Sequence, residues 1–137
     1  MVASAGFAEF LREQLAPLGA LSLRRMFGKT GVFCDDLMFA MVADDTLFLR
    51  VDDGNAAAFA EAAAHPSLSY AKGGRLIDLA FWRAPDRLMD EPDELVAWAR
   101  LALEAAGRVA SDRQAAGARA RGRRARGPDA GSRGRGT

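Results

Sequence analysis

Histidine and cysteine are almost missing from this chain, which has only His65 and Cys34. With one of each, the usual four-ligand structural zinc sets cannot be assembled. Cys34 has no second thiol for an intrachain disulfide, which fits a reducing cytoplasm. No apolar run approaches the roughly 18 residues needed to cross a bilayer. The first ten residues lack the basic start and long apolar stretch of a secretory signal. Catalytic patterns are missing too: Ser4, Ser22, Ser67 and Ser69 lack a G-x-S-x-G context, and Cys34 has no evident base beside it. The expectation is a cytoplasmic, non-enzymatic protein with no cofactor, no metal and no membrane association.

What the chain does have is charge, unevenly placed. The formal balance of the 137 residues is +1. Residues 107–137 hold nine Arg and two Asp, a local charge of +7, with no apolar side chain larger than Val. Residues 1–106 hold ten Lys and Arg against sixteen Asp and Glu, a balance of −6. The first part is long enough for one domain and too short for two. Two objects are therefore expected: an acidic α+β domain over residues 1–106, and a disordered Arg/Gly/Ala-rich basic tail over residues 107–137.

The periodicity within the first object sets its fold. Phe7, Phe10, Leu11, Leu15 and Leu18 recur at helical spacing, Ser4 is a suitable N-cap, and Pro17 and Gly19 close the helix. Residues 21–27 read as a lead-in or an additional short strand. Strands over 32–34, 37–43 and 46–51 are joined by the two-residue turns Asp35-Asp36 and Asp44-Asp45, since Asp tolerates such turn conformations. A second helix is expected over 56–64 after a cap in 52–55, rich in the best helix former and closed by His65-Pro66. Gly73-Gly74 joins strands over 67–72 and 75–82. Pro92, with acid in the first turn, opens a last helix that Gly107 should stop. The order helix–three strands–helix–two strands–helix gives a two-layer domain, an antiparallel sheet with helices on one face.

The strand at 37–43 is apolar on both faces. Strict alternation puts Leu37, Phe39 and Met41 on one side and Met38, Ala40 and Val42 on the other. It should therefore be central and covered on both sides. One helical layer covers one side. A protein partner, a long loop or a second subunit in a homodimer would cover the other.

The run Arg24-Arg25-Met26-Phe27-Gly28, followed by Gly31-Val32-Phe33, Asp35, residues 38–44, Leu47-Phe48-Leu49 and Asp52, resembles the N-terminal domain of the TfoX/Sxy family. Phe59, Tyr70, Leu79, Pro85, Leu88, Asp90, Leu95 and Trp98-Ala99-Arg100 continue the resemblance, which covers about residues 7–106. Arg24 to Gly28 is its most specific piece. The resemblance implies a fold like that of secretion chaperones. It also implies a regulator acting through protein contacts, in a family whose namesakes promote transcription of DNA-uptake genes in natural competence together with the cyclic AMP receptor protein. Full-length members carry a C-terminal domain similar to helix-hairpin-helix DNA binders. Nothing after Gly107 has the core residues for such a domain, and Lys29 stands where a second glycine is common.

Candidate sites follow from both readings. Arg24, Arg25, Met26, Phe27 and Gly28 are a candidate interaction strand for a protein partner such as a transcription regulator; Arg24 or Arg25 would recognise an acidic partner or a phosphate, or instead pair internally with an acid such as Asp35, Asp45 or Asp78. Gly28-Lys29-Thr30 is no phosphate loop, because Leu23 stands where its first glycine belongs and a strand follows. Cys34 is expected to be a buried, inert thiol, and His65 a dipole partner at a helix end. In the tail, Arg119, Arg121, Arg123, Arg124 and Arg126 place five guanidiniums in eight residues. They are suited to non-specific contact with nucleic acid, and with no aromatic nearby they would read no sequence.

Overall fold

The fold starts where the sequence places it. In the computed structural model, which describes residues 4–26, 28–64 and 67–126 (side chains excepted at 63, 64, 70 and 119–126), Ser4 caps the helix α1, Ala5–Gln14. Its hydroxyl accepts from the Phe7 N–H at 3.2 Å, and the Asp45 carboxylate accepts from the Ser4 N–H at 2.8 Å. A 3-10 turn, Ala16–Leu18, with Pro17 in it, ends this segment. The chain divides into two units, Met1–Gly107 and Arg108–Thr137.

Four strands follow as a meander: β1 (Leu21–Met26), β2 (Lys29–Cys34), β3 (Leu37–Ala43) and β4 (Thr46–Arg50). Residues 21–26 are thus a true strand, at the sheet edge. The two aspartate pairs make their turns with both residues at positive φ, 53° and 63° at Asp35 and Asp36, 52° and 53° at Asp44 and Asp45. That geometry matches the right-handed twist of the flanking strands. Residues 69–83 form three short strands: β5 (Ser69–Lys72), β6 (Arg75–Asp78) and β7 (Phe81–Arg83). The expected strand over 75–82 is broken at Ala80, φ 59°, whose N–H donates to the Asp78 carboxylate at 2.7 Å. This local turn sends β7 into the main sheet, of order β1-β2-β3-β4-β7, and leaves β5 and β6 as a separate hairpin.

The second helix of the expected order is present only as turns over 53–59 and a 3-10 helix, Ala60–Ala64. Asn55 explains the irregular start. Its side chain is buried, donating to the carbonyls of Arg50 at 3.1 Å and Leu101 at 3.2 Å and accepting from the Asp52 N–H at 2.9 Å. The Asp52 carboxylate meanwhile takes the N–H of Gly54 and of Asn55. A nine-residue alanine-rich stretch cannot offset the cost of helix nucleation against such competing bonds.

The final helix, α2, spans Pro92–Arg126. It does not stop at Gly107. Each of its internal glycines, Gly107, Gly117 and Gly122, costs about 1 kcal/mol, and the Arg, Ala and Gln between and after them are good helix formers. The backbone stays helical through Arg126 in the second unit; residues 127–137 lie outside the described ones.

One face of the sheet carries the main core. Leu11 of α1, Leu15 just after it, and Leu95, Trp98, Ala99, Ala102 and Ala106 of α2 pack with Val32, Cys34, Phe39, Ala40, Val42, Leu47 and Leu49. The alanines of α2 let helix and sheet approach closely. Trp98 stacks on Phe59, ring centroids 4.6 Å apart and planes within 10°. Burying each large apolar side chain here contributes about 1.5–3 kcal/mol. Strict alternation in β3 fails at one point: the ladder with β2 shifts between Val32 and Phe33, pairing Val32 with Ala40 but Phe33 with Met38. This bulge puts Leu37, Phe39, Ala40 and Val42 with the helices, and Met38 and Met41 with the opposite face. The strand is central and apolar on both sides, but the grouping by odd and even residues is corrected.

Candidate protein-docking face

The face of the sheet turned away from the helices begins with register. Arg24 pairs with Gly31, Met26 with Lys29 and Phe33 with Met38, while Met41 pairs with Phe48 and Arg50 with Phe81. One side of five strands therefore carries Arg24, Met26, Gly31, Phe33, Met38, Met41, Phe48 and Phe81. Met41 and Phe81 are fully buried, because Leu68 and Leu79 beside the β5–β6 hairpin pack over them. The Leu68 N–H donates to the Phe81 carbonyl at 2.8 Å and the Leu79 N–H to the Leu68 carbonyl at 2.9 Å. A loop thus covers one end of the face, while Met26, Phe33, Met38 and Phe48 remain half-buried.

Gly31 sits at the centre of this half-covered area. A Cβ there would stand 2.9 Å from the Met38 sulfur, 3.0 Å from a Phe33 ring carbon and 3.3 Å from the Met26 sulfur. The three side chains have closed over the space that a side chain at residue 31 would fill. Thioethers are polarizable and adaptable, a property of surfaces that accept varied apolar partners. The sequence placed Met26 in an interaction strand; it did not show Gly31, Phe33 and Met38 gathered with it, or Phe48 on the same face, because the bulge hides their common side.

Arg24 and Arg25 point to opposite sides, as alternation requires. The Arg24 guanidinium lies over the Phe33 ring, 4.4 Å from its centroid, and 3.6 Å from Asp36, with 56% of its side chain exposed. The acid beside it is Asp36, not Asp35, Asp45 or Asp78. Such an open pair contributes little, whereas the ring contact fixes the guanidinium at the rim of the apolar area. Arg25 is exposed, and among the described residues it forms no ion pair. Gly28, φ 72°, makes the turn into β2, and Lys29 and Thr30 continue as strand. Phe27 and His65 lie outside the described residues.

Other candidates resolve into structural roles. Cys34 is buried and its Sγ donates to the Leu18 carbonyl at 3.5 Å; burial, then the neighbouring Asp35 charge, push the thiol pKa up. Arg87, unremarked in the sequence, spreads its guanidinium over three carboxylates: Glu61 at 2.8 and 2.9 Å, Glu94 at 2.7 and 2.8 Å, and Glu91 at 3.0 Å. These bonds staple the 3-10 helix after β4 to the start of α2, hold the Glu61 and Glu94 carboxyls below their ordinary pKa, and raise that of Arg87. Among the described residues no group of three His, Cys, Asp or Glu is set to hold a metal ion, and no helix is long and apolar enough to cross a membrane. The backbone of Arg119, Arg121, Arg123, Arg124 and Arg126 is helical.

Comparison with known proteins identifies the family of the domain. Protein Sxy of Escherichia coli (strain K12) is 35% identical over 104 residues, 74% of this chain and 48% of the relative. The chain therefore spans about half the length of that curated relative. The TfoX N-terminal domain model matches residues 13–106, from within α1 through the part of α2 that packs on the sheet, and on that match the chain belongs to the TfoX N-terminal domain family.

Proposed function

We propose that this protein is a non-enzymatic regulatory adaptor, linked to competence or transcription control, that works by docking another protein on its sheet. The observation that carries this reading is the half-buried Met26, Phe33 and Met38 around Gly31, with half-buried Phe48 on the same side of the sheet, the side without helices. Arg24 stands at its margin, fixed over Phe33. Apolar surface of this kind costs solubility, and a partner that covers it recovers the hydrophobic term. Membership of the same family as Sxy supports a regulatory role.

The test uses a strain lacking the protein, complemented with wild type or with Phe33→Glu. Phe33 is half-buried at the rim, so a carboxylate there leaves the helix-side core intact while charging the docking face. Transcript profiling should show the deletion phenotype in the Phe33→Glu strain, with the variant present at wild-type level. Full complementation by Phe33→Glu would refute the reading.

A second reading makes the protein a nucleic-acid accessory factor acting through Arg119, Arg121, Arg123, Arg124 and Arg126. The helical backbone there favours it, since five charges over eight residues at 1.5 Å rise give about one per 2 Å, close to the phosphate spacing of duplex DNA along its axis. Five phosphate contacts would give a log K against log salt slope of about −4.5. Replacing the five arginines by glutamine should flatten that slope; unchanged affinity in the variant would end this reading.

A further inference from the structure

The two edges of the main sheet are not alike. On β7 the Phe81 carbonyl already accepts from the Leu68 N–H. On β1, among the described residues, no backbone hydrogen bond arrives from outside the ladder with β2. Which groups point outward follows from the turn. Two residues separate the paired Met26 and Lys29, and the pair closing a two-residue hairpin is hydrogen-bonded. Met26, Arg24 and Ser22 therefore bond to β2, and Leu21, Leu23 and Arg25 turn their N–H and C=O groups outward.

An open edge six residues long is a template for another strand. Its side chains say which kind. Leu21 and Leu23 are half-buried on the helix side, Met26 is half-buried on the other, and Ser22, Arg24 and Arg25 are exposed. A second copy of β1 is a poor fit. Symmetric antiparallel registers centred on Leu23, Arg24 or Arg25 put guanidiniums of the two copies opposite or diagonal to each other, and like charges so placed repel. A strand with carboxylates facing Arg24 and Arg25 and apolar residues facing Leu21 and Leu23 meets no such conflict.

We infer that the outer edge of β1 accepts an extended acidic segment of a partner protein as a sixth strand, with two adjacent carboxylate residues against Arg24 and Arg25. This rests on the reading of the domain as a protein-docking module and gives that module a partner chemistry. Backbone bonds from Leu21, Leu23 and Arg25 supply attachment; the carboxylates set register and direction. Arg24, held over Phe33, lies where the added strand and the apolar face meet, so one ligand can use both.

The test is fluorescence anisotropy of the full chain with a labelled, end-blocked peptide running Thr-Glu-Glu-Val-Thr-Val, which aligns antiparallel to β1. A second peptide carries Lys in place of both Glu. The wild-type chain should bind the acidic peptide at least roughly tenfold more tightly than the basic one. The Arg24→Glu/Arg25→Glu variant should reverse that preference. Arg25→Pro, which removes an outward N–H and leaves the β2 ladder intact, should lose both peptides. Acidic-peptide binding that is indifferent to the charge reversal overturns the inference, and so does a chain dimer that Arg25→Pro dissolves. If the edge variants complement the deletion strain and Phe33→Glu does not, the edge is excluded while the docking role of the face survives. If Phe33→Glu complements fully, that role fails whatever the peptides do.

Discussion

Replacing Asn55 by alanine should be among the most damaging single changes outside the apolar core. Asn55 is 1% exposed. It makes three side-chain hydrogen bonds, to the Arg50 carbonyl, the Leu101 carbonyl and the Asp52 N–H, at 2.9 to 3.2 Å. They join the end of β4, the following turn and α2. Each such bond contributes about 0.5–1.5 kcal/mol net, and an N–H left buried without a partner costs more. The expected loss is about 2–4 kcal/mol, which for a domain of this size lowers Tm by roughly 10–30 °C. Urea and thermal melts followed by circular dichroism measure it. The isosteric Asn55→Asp discriminates between lost volume and lost donors. Its carboxylate would face two carbonyl oxygens, so burial and those dipoles must raise its folded pKa above the unfolded value. Ionisation then opposes folding: Asn55→Asp should be less stable than Asn55→Ala at neutral pH and regain stability as pH falls through the raised pKa. Asn55→Ala within about 0.5 kcal/mol of wild type, a change usual for neutral surface sites, would refute the argument. So would an aspartate variant with no recovery in acid.

Arg87→Lys should lower Tm, because an ammonium cannot reproduce five bonds to three carboxylates. The Glu61 and Glu94 pKa values are lowered in the folded state. Their contribution is therefore present above the unfolded pKa and lost as pH falls through the folded one, and a melt series down to acid pH should show a shallower decline in Arg87→Lys than in wild type. Asp36→Gly and Ala80→Gly each place glycine at a positive φ, 63° and 59°; each should be neutral to stabilising by up to about 1 kcal/mol in a urea melt, relief of the left-handed penalty outweighing added chain entropy. Gly31→Val should destabilise by about 1–3 kcal/mol, since even its Cβ stands 2.9 Å from the Met38 sulfur, and should raise binding of a hydrophobic dye as the methionines are pushed outward.

The hairpins were the most legible part of the chain. Asp35-Asp36 and Asp44-Asp45 lie between alternating apolar runs, and local turn chemistry is enough to place them. The bulge beside Phe33 left no such trace: it exists because the adjacent Phe39 and Ala40 both pack on the helix side, a choice made by contacts remote in sequence. The alanine-rich stretch after Asn55 misled for a related reason, since the buried amide that bends it has a partner 46 residues away on α2. Gly107 looked like a stop because one glycine is conspicuous locally, whereas helix propensity is summed over many residues. At the candidate site, Arg24, Arg25, Met26 and Gly28 stood out as a motif. Their meaning as edge and rim needed the sheet order, and the Arg87 staple needed tertiary contact with Glu61, 26 residues away.

Cys34 gives the protein a built-in reporter of its own opening. The chain has a single sulfhydryl, lodged under the 3-10 turn that follows α1. Alkylation by a bulky maleimide has to wait until that turn or its strand lets go. The labelling rate therefore clocks the breathing of this corner in unaltered protein, and comparing it with global unfolding rates tells whether the first helix detaches ahead of the sheet.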